Sequence, residues 1–376
     1  MSSPNFGTFF IPGPTEVRPE ILQAMSRPLI SHRGREFEAM FARIEAGLRD
    51  VFLTARPVYI GATSATGFME MAIRNTPPGK ILSLVNGAFS ERFAKVAESC
   101  AREVRRLVVP WGQTYDFDVV KDVLASEQFV AVTVAHSETS TGVLTDVRTV
   151  AELAHQHRAI VLVDSVSGAG GAELTVDGWG LDFFLTGSQK ALALPPGLAF
   201  AVASAEYVDR ARALTDRGFY FDVVQYDNAA AKNETPSTPA TSLLYALEAQ
   251  LGNIMREGIE QRWERHLSMR DATLDWVSAV SERRDVDLRV VAAEGARSPT
   301  LTVIALPEGM TSREVIDLVA ERGITIANGY GELRGKTIRI GHMGDHTLEG
   351  LERCLSVCEH AIAELAERRM PLRLRR

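Results

Sequence analysis

The chain has 376 residues, 45% of them apolar and 24% charged, and a formal net charge of -7 with no long run of one sign. That balance excludes a nucleic-acid-binding stripe and a membrane-surface patch, leaves room for two domains with ample core, and points to small-molecule chemistry. The three cysteines make neither an even disulfide framework nor a ligand quartet, which suits a reducing cytoplasm.

The N-terminus, MSSPNFGTFFIPGP, has no basic leader region and only a short apolar stretch broken by proline. No window approaches the roughly 18 consecutive apolar residues of a membrane helix, so neither secretion nor membrane spanning is expected. Next, REFEAMFARIEAGLRDVFLT sets Phe37, Met40, Phe41, Ile44, Leu48, Val51 and Phe52 on one helical face. Short apolar runs then alternate with helical patterns: PVYIG, KILSLV, EVRRLVV, QFVAVTVAH, AIVLVD, DFFLTG and LAFAVAS. These seven near-continuous runs are the type expected of a mostly parallel sheet covered on both faces, in a large α/β domain over residues 18–260. From 261 to 376 the texture changes to a long helix, EQRWERHLSMRDATLDWVSAVSERR, then strands such as LRVV, TLTVIAL and KTIRIG alternating with helices. This reads as a smaller C-terminal α+β domain, ending in a frayed or solvated tail, MPLRLRR.

In open α/β sheets ligands bind beyond the carboxyl ends of the strands, so the polar residues following each strand form the candidate set. Ser64, Ala65 and Thr66 open a helix after PVYIG, where free N–H groups and the dipole suit a phosphate; a plain N-cap is the bland alternative. Neither GxGxxG nor GxxxxGK[ST] occurs there, which disfavours nicotinamide and nucleotide triphosphates. Asp164 ends an otherwise apolar strand, where a carboxylate is costly unless paired, although it could simply cap the loop SVSG. Lys190 follows the strand DFFLTG; Phe89 could be core and Thr139 a loop former. Together, a strand-end acid, a strand-end lysine, a phosphate-type helix N-terminus and an aromatic are the parts needed to hold pyridoxal phosphate, with lysine supplying a Schiff base.

The stretches PGPT, SHRGREFE, VNGAF, HSETSTG, VDSVSGAGG, GSQKALALPPG and RIGHMG, in that order, resemble the class V pyridoxal-phosphate aminotransferases of the alanine/serine-glyoxylate type. The likeness spans nearly the whole chain and implies a fold-type I architecture, with residues 1–17 packing near the active site. It further implies that Lys190 holds pyridoxal 5'-phosphate and moves the Cα proton, and that Asp164 pairs with the ring nitrogen. By the same resemblance Phe89 stacks on one ring face, where relatives usually carry tryptophan, Val166 covers the other, and Thr139 lies near the 3-oxygen. Ser64, Ala65, Thr66 and Gln189 would hold the phosphate, Ser237 and Thr238 would reach in from the second subunit of a homodimer, and Arg339 would take the substrate carboxylate. The expected reaction moves an amino group from alanine or serine to glyoxylate or pyruvate in two half-reactions.

One departure is Gly168, where relatives place a serine near the substrate carboxylate; Ser167 is adjacent but is expected to point elsewhere. Phosphoserine or aminoethylphosphonate transaminases and cysteine desulfurases are alternatives on the same fold. A desulfurase needs a reactive cysteine on a mobile loop, whereas Cys100, Cys354 and Cys358 all fall on helical patterns. A binding protein that has lost turnover is the non-enzymatic alternative. His155 and His157 point about 200° apart on a helix, so a solvated helix end is expected rather than a metal site, and His136 reads as a satisfied core histidine.

Overall fold

The computed structural model describes residues 6–369, so residues 1–5 and the basic tail from Met370 to Arg376 lie outside the described residues. In chain order the strands are β1 (Phe9–Phe10), β2 (Val58–Gly61), β3 (Lys80–Val85), β4 (Glu103–Val108), β5 (Ala131–Ala135), β6 (Ser137–Glu138) and β7 (Val143–Leu144). They continue with β8 (Ile160–Asp164), β9 (Phe183–Gly187), β10 (Ala199–Ala203), β11 (Arg289–Val290), β12 (Leu301–Ala305), β13 (Thr325–Asn328) and β14 (Thr337–Gly341).

All seven expected apolar runs join one sheet, in the order β2-β10-β9-β8-β5-β3-β4. Pairing is parallel from β4 to β9, and only β10 runs against its neighbours β9 and β2. The central runs β5, β8, β9 and β10 are buried along their whole length because helices cover both faces. Along β8, Val161 and Val163 enter one core while Ile160 and Leu162 enter the other, the alternation a pleated strand imposes. The first core also receives Phe37, Met40, Phe41, Ile44, Leu48, Val51 and Phe52 from helix Arg35–Phe52. The second receives Phe68 and Phe93 from helices Ala65–Arg74 and Ala88–Ser99. At the sheet edge, β4 keeps Glu103, Arg105 and Arg106 at least partly exposed, and such charges protect an edge from further pairing.

The smaller sheet has the order β1-β13-β14-β12-β11 and packs on helices Ile259–Arg284, Ser312–Glu321 and Leu348–Arg369, sharing a core with Phe10, Met269, Ile338, Ile340, Cys354 and Cys358. Two of its strands were not anticipated. β1 is only two residues long and pairs in parallel with β13, a contact across the whole chain that no local pattern signals, and β13 is short with polar ends. A further difference lies in SETSTG, the loop expected after the run QFVAVTVAH: Ser137–Glu138 form β6, which pairs with β7 in a small hairpin.

Helix Ile259–Arg284 straddles the expected boundary at 260. Its Arg262, 1% exposed, donates from Nη2 to Ala191 O at 2.7 Å and to Asp345 at 2.9 Å, while Gln250 donates to the same carboxylate at 3.1 Å. These bonds tie the C-terminal elements to the turn that follows β9. Among the described residues no helix is long and apolar enough to cross a membrane.

Candidate active site

The turns following β2, β3, β8 and β9, together with Ser137 and Thr139 beyond β5, meet around a cavity of about 510 Å³. Nine of the expected residues line it: Ser64, Ala65, Thr66, Phe89, Thr139, Asp164, Val166, Gln189 and Lys190. They converge because parallel strands all deliver their following loops to the same sheet edge.

Lys190 sits in a tight turn beyond β9, closed by the Ala193 N–H on Lys190 O at 2.8 Å. Its side chain is buried, and Nζ donates to Pro12 O in the N-terminal segment. Gly13 has φ of +117°, and a Cβ there would lie 2.6 Å from Lys190 Nζ; only glycine lets the segment pass so close to the amine. Burial first, and the nearby Arg339 charge second, pull the Lys190 amine down to about 8. Asp164 ends β8 with 4% exposure, and among the described residues its carboxylate accepts one hydrogen bond, from Val166 N–H at 2.9 Å. Burial pushes its pKa up to about 7, because a carboxylate so enclosed and so sparsely partnered is poorly stabilised as an anion.

Helix Ala65–Arg74 starts at Ser64, whose backbone is extended and whose hydroxyl makes no capping bond. The N-cap alternative therefore fails for the side chain, and the first residues of the helix, Ala65 and Thr66, line the cavity, so the positive end of the helix faces it. Gln189 is held by its own carbonyl, which accepts from Thr15 N–H at 2.9 Å. Phe89 lies in the first turn of helix Ala88–Ser99 and stacks on Tyr330 with centroids 5.3 Å apart and the Arg92 guanidinium 4.7 Å from its centre.

Arg339, half-buried on β14, is outside the wall of the cavity but bonds to it: Nη1 donates to Thr139 O at 3.3 Å and Nε to Asn328 O at 2.7 Å. Its guanidinium lies 5.6 Å from the Tyr330 ring centre. Ser237 and Thr238 are not brought to the cavity of their own chain; they line a separate hollow with Tyr220, Tyr226 and Leu244.

Ser167 corrects an expectation. It lines the cavity and its Oγ lies 2.6 Å from Thr139 Oγ1, whereas Gly168 faces away. A Cβ on Gly168 would come within 2.6 Å of His136 Nδ1 and 2.7 Å of Ser165 Oγ, so the missing serine side chain has no room at 168. His136 is the buried core histidine expected, with Nδ1 2.8 Å from Ser165 Oγ and its ring edge-on to Trp179. His155 is not merely solvated: Nε2 lies 2.7 Å from Asp182, which raises its pKa. Arg92 and Tyr330 went unnoticed in the sequence. Arg92 could have been found, three residues after Phe89 on the same helix face; Tyr330 could not, because it arrives from the connection between β13 and β14 in the smaller sheet. Cys354 and Cys358 are buried in the last helix, which leaves them no role as mobile nucleophiles.

The sequence profile described as aminotransferase class-V matches residues 13–340. An uncharacterized aminotransferase of Methanocaldococcus jannaschii is 36% identical over 94% of this chain and 92% of its own. The L-aspartate–glyoxylate aminotransferase of Paracoccus denitrificans is 32% identical over 97% of this chain and 92% of its own. The crystal structure of a ureidoglycine–glyoxylate aminotransferase from Bacillus subtilis superposes with a TM-score of 0.89 at 27% identity, covering 97% of this chain and 94% of that one. With a profile match across most of its length and a site on the same scaffold, this chain belongs to the class V aminotransferase family, on the fold-type I architecture.

Proposed function

We propose that this aminotransferase uses pyridoxal 5'-phosphate to move an amino group from a small 2-amino acid, alanine or serine by the sequence resemblance, to a small 2-oxo acid, glyoxylate or pyruvate. The observation that carries the reading is Asp164: a buried carboxylate with one hydrogen bond, facing the same cavity as the buried amine of Lys190. An unmet carboxylate beside an amine of lowered basicity and an open helix N-terminus is the donor set this cofactor requires, so the residues fit it.

In this reading Lys190 Nζ tethers the cofactor and then carries the proton to and from the donor's Cα. Asp164 would hold a proton on the ring nitrogen, Phe89 and Val166 would confine the ring on its two faces, and Thr139 would supply a hydroxyl beside it. The N–H groups opening helix Ala65–Arg74, with Ser64, Thr66 and Gln189, hold the phosphate. Pyridoxal phosphate, when bound, supplies the electron sink for the charge that builds at Cα. Arg339 offers two parallel N–H donors to the substrate carboxylate. Ser237 and Thr238, set apart from the cavity of their own chain, fit a contribution to the site of a partner subunit in a homodimer. Glyoxylate as acceptor is supported by the names of the Paracoccus and Bacillus relatives.

A donor panel of alanine, serine and aspartate against glyoxylate and pyruvate tests the reading. Parallel-line initial-rate plots are expected, since both substrates use one site in turn. Borohydride reduction followed by peptide mapping should place the cofactor on Lys190. No turnover with any pair, or label on another lysine, overturns it.

A further inference from the structure

We infer that Glu138 is a positioning residue that locks Phe89 and Thr139 into one rigid unit against the cofactor ring; the inference rests on the reading of the cavity as a pyridoxal phosphate site. Glu138 is 0% exposed and has no ion-pair partner among the described residues. A carboxylate in such a place is costly unless strong donors surround it. Five do. Oε2 accepts from Ser90 N–H at 2.9 Å, Ser90 Oγ at 3.0 Å and Phe89 N–H at 3.1 Å. Oε1 accepts from Ser140 N–H at 3.0 Å and Ser140 Oγ at 2.7 Å. Ser140 Oγ in turn accepts from Ala88 N–H at 3.0 Å.

The first three amides of helix Ala88–Ser99 are thus satisfied by Glu138 and Ser140, the two neighbours of Thr139. A carboxylate at a helix N-terminus also meets the positive end of the dipole. As a result the ring of Phe89 and the hydroxyl of Thr139, which come from distant stretches of chain, keep a set separation. Gly87 shows how close the docking is: a Cβ there would lie 2.4 Å from Ser140 Oγ and 2.5 Å from Glu138 Cγ. Its φ of 173° is ordinary extended backbone, so space alone demands glycine. Glutamine cannot replace Glu138, although it has the same shape. Each oxygen faces at least one backbone N–H, so an amide nitrogen at either end would meet a donor head-on.

The test compares wild type, Glu138→Gln and Ser140→Ala, each titrated with pyridoxal phosphate and followed by the visible circular dichroism of the bound cofactor, with steady-state rates alongside. Losing a charged hydrogen-bond hub should weaken cofactor binding about 10-fold or more in Glu138→Gln, alter the dichroism per bound cofactor, and lower kcat with little change in donor KM. Ser140→Ala should shift the same three readouts less far. A Glu138→Gln protein with a lower Tm but wild-type cofactor affinity, dichroism and kcat would show that the carboxylate only stabilises the fold. If that variant does not fold, Ser140→Ala decides by the same readouts. Wild type that binds no pyridoxal phosphate refutes the functional reading itself; normal binding by wild type and both variants refutes only the role of Glu138.

Discussion

Gly168→Ser places a serine where relatives are expected to carry one, and the structure predicts damage rather than improved substrate binding. The new Cβ would lie 2.6 Å from His136 Nδ1, 3.2 Å from His136 Cε1 and 2.7 Å from Ser165 Oγ. Ser165 could turn its hydroxyl, but the His136 ring is 2% exposed and packed edge-on against Trp179. Overpacking of this kind costs about 1–3 kcal/mol, and losing the 2.8 Å bond between His136 and Ser165 adds about 0.5–1.5 kcal/mol. The total of about 1.5–4.5 kcal/mol corresponds to a Tm lower by several degrees. Scanning fluorimetry of the cofactor-loaded protein measures it, with Ser167→Ala in parallel. Because Ser167 faces the cavity, its alanine variant should keep Tm within about 1–2 °C while raising KM for amino donors. A Gly168→Ser protein with unchanged Tm and improved kcat/KM for alanine would mean that position 168 faces the cavity and that the reasoning is wrong.

Asp164→Asn should fold and lose roughly 100- to 1,000-fold in turnover, the scale of one preorganised electrostatic partner; near-normal turnover removes Asp164 from the mechanism. Its folded pKa of about 7 stands above the ordinary 3.8, so in the cofactor-free protein its contribution to stability is present below about pH 4 and lost as pH rises through 7. Melts of the cofactor-free asparagine variant should therefore gain on wild type over that window, and parallel curves count against the shift. Lys190 is displaced the other way, from 10.5 to about 8; the folded state binds fewer protons between those values, and capture of pyridoxal phosphate should rise with pH about a midpoint near 8. A midpoint above about 10 would mean a solvated amine. Arg339→Lys keeps the charge but not the bidentate geometry, so kcat/KM should fall about 10- to 100-fold for amino-acid donors and little for amines lacking a carboxylate; equal losses return Arg339 to a structural role.

Much of the site was legible because its parts sit at strand ends, where sequence and topology speak together. Asp164 and Lys190 each close an apolar run, and the strands of one sheet deliver both to the same edge. Ser64 could be placed at a helix start from its neighbours, but whether its hydroxyl would cap the helix or stay free depended on the final backbone. Glu138 escaped notice because a glutamate in a polar heptapeptide looks solvated; only docking of helix Ala88–Ser99 onto the β6–β7 hairpin turns it into a buried acceptor for five donors.

The amino-acid sequence by itself pointed to the seven-stranded sheet, since short, mostly apolar runs alternating with helical patterns suit strands covered on both faces, and it determined the chemical groups available beyond each strand. The tertiary structure alone decided which way neighbouring side chains turn. Ser167 and Gly168 are adjacent in sequence, yet the path of the loop after β8 sends one to the cavity and the other against His136. It alone joined β1 to β13 and brought Tyr330 onto Phe89, because contacts between segments hundreds of residues apart leave no periodicity in the chain and are set only when the two cores pack.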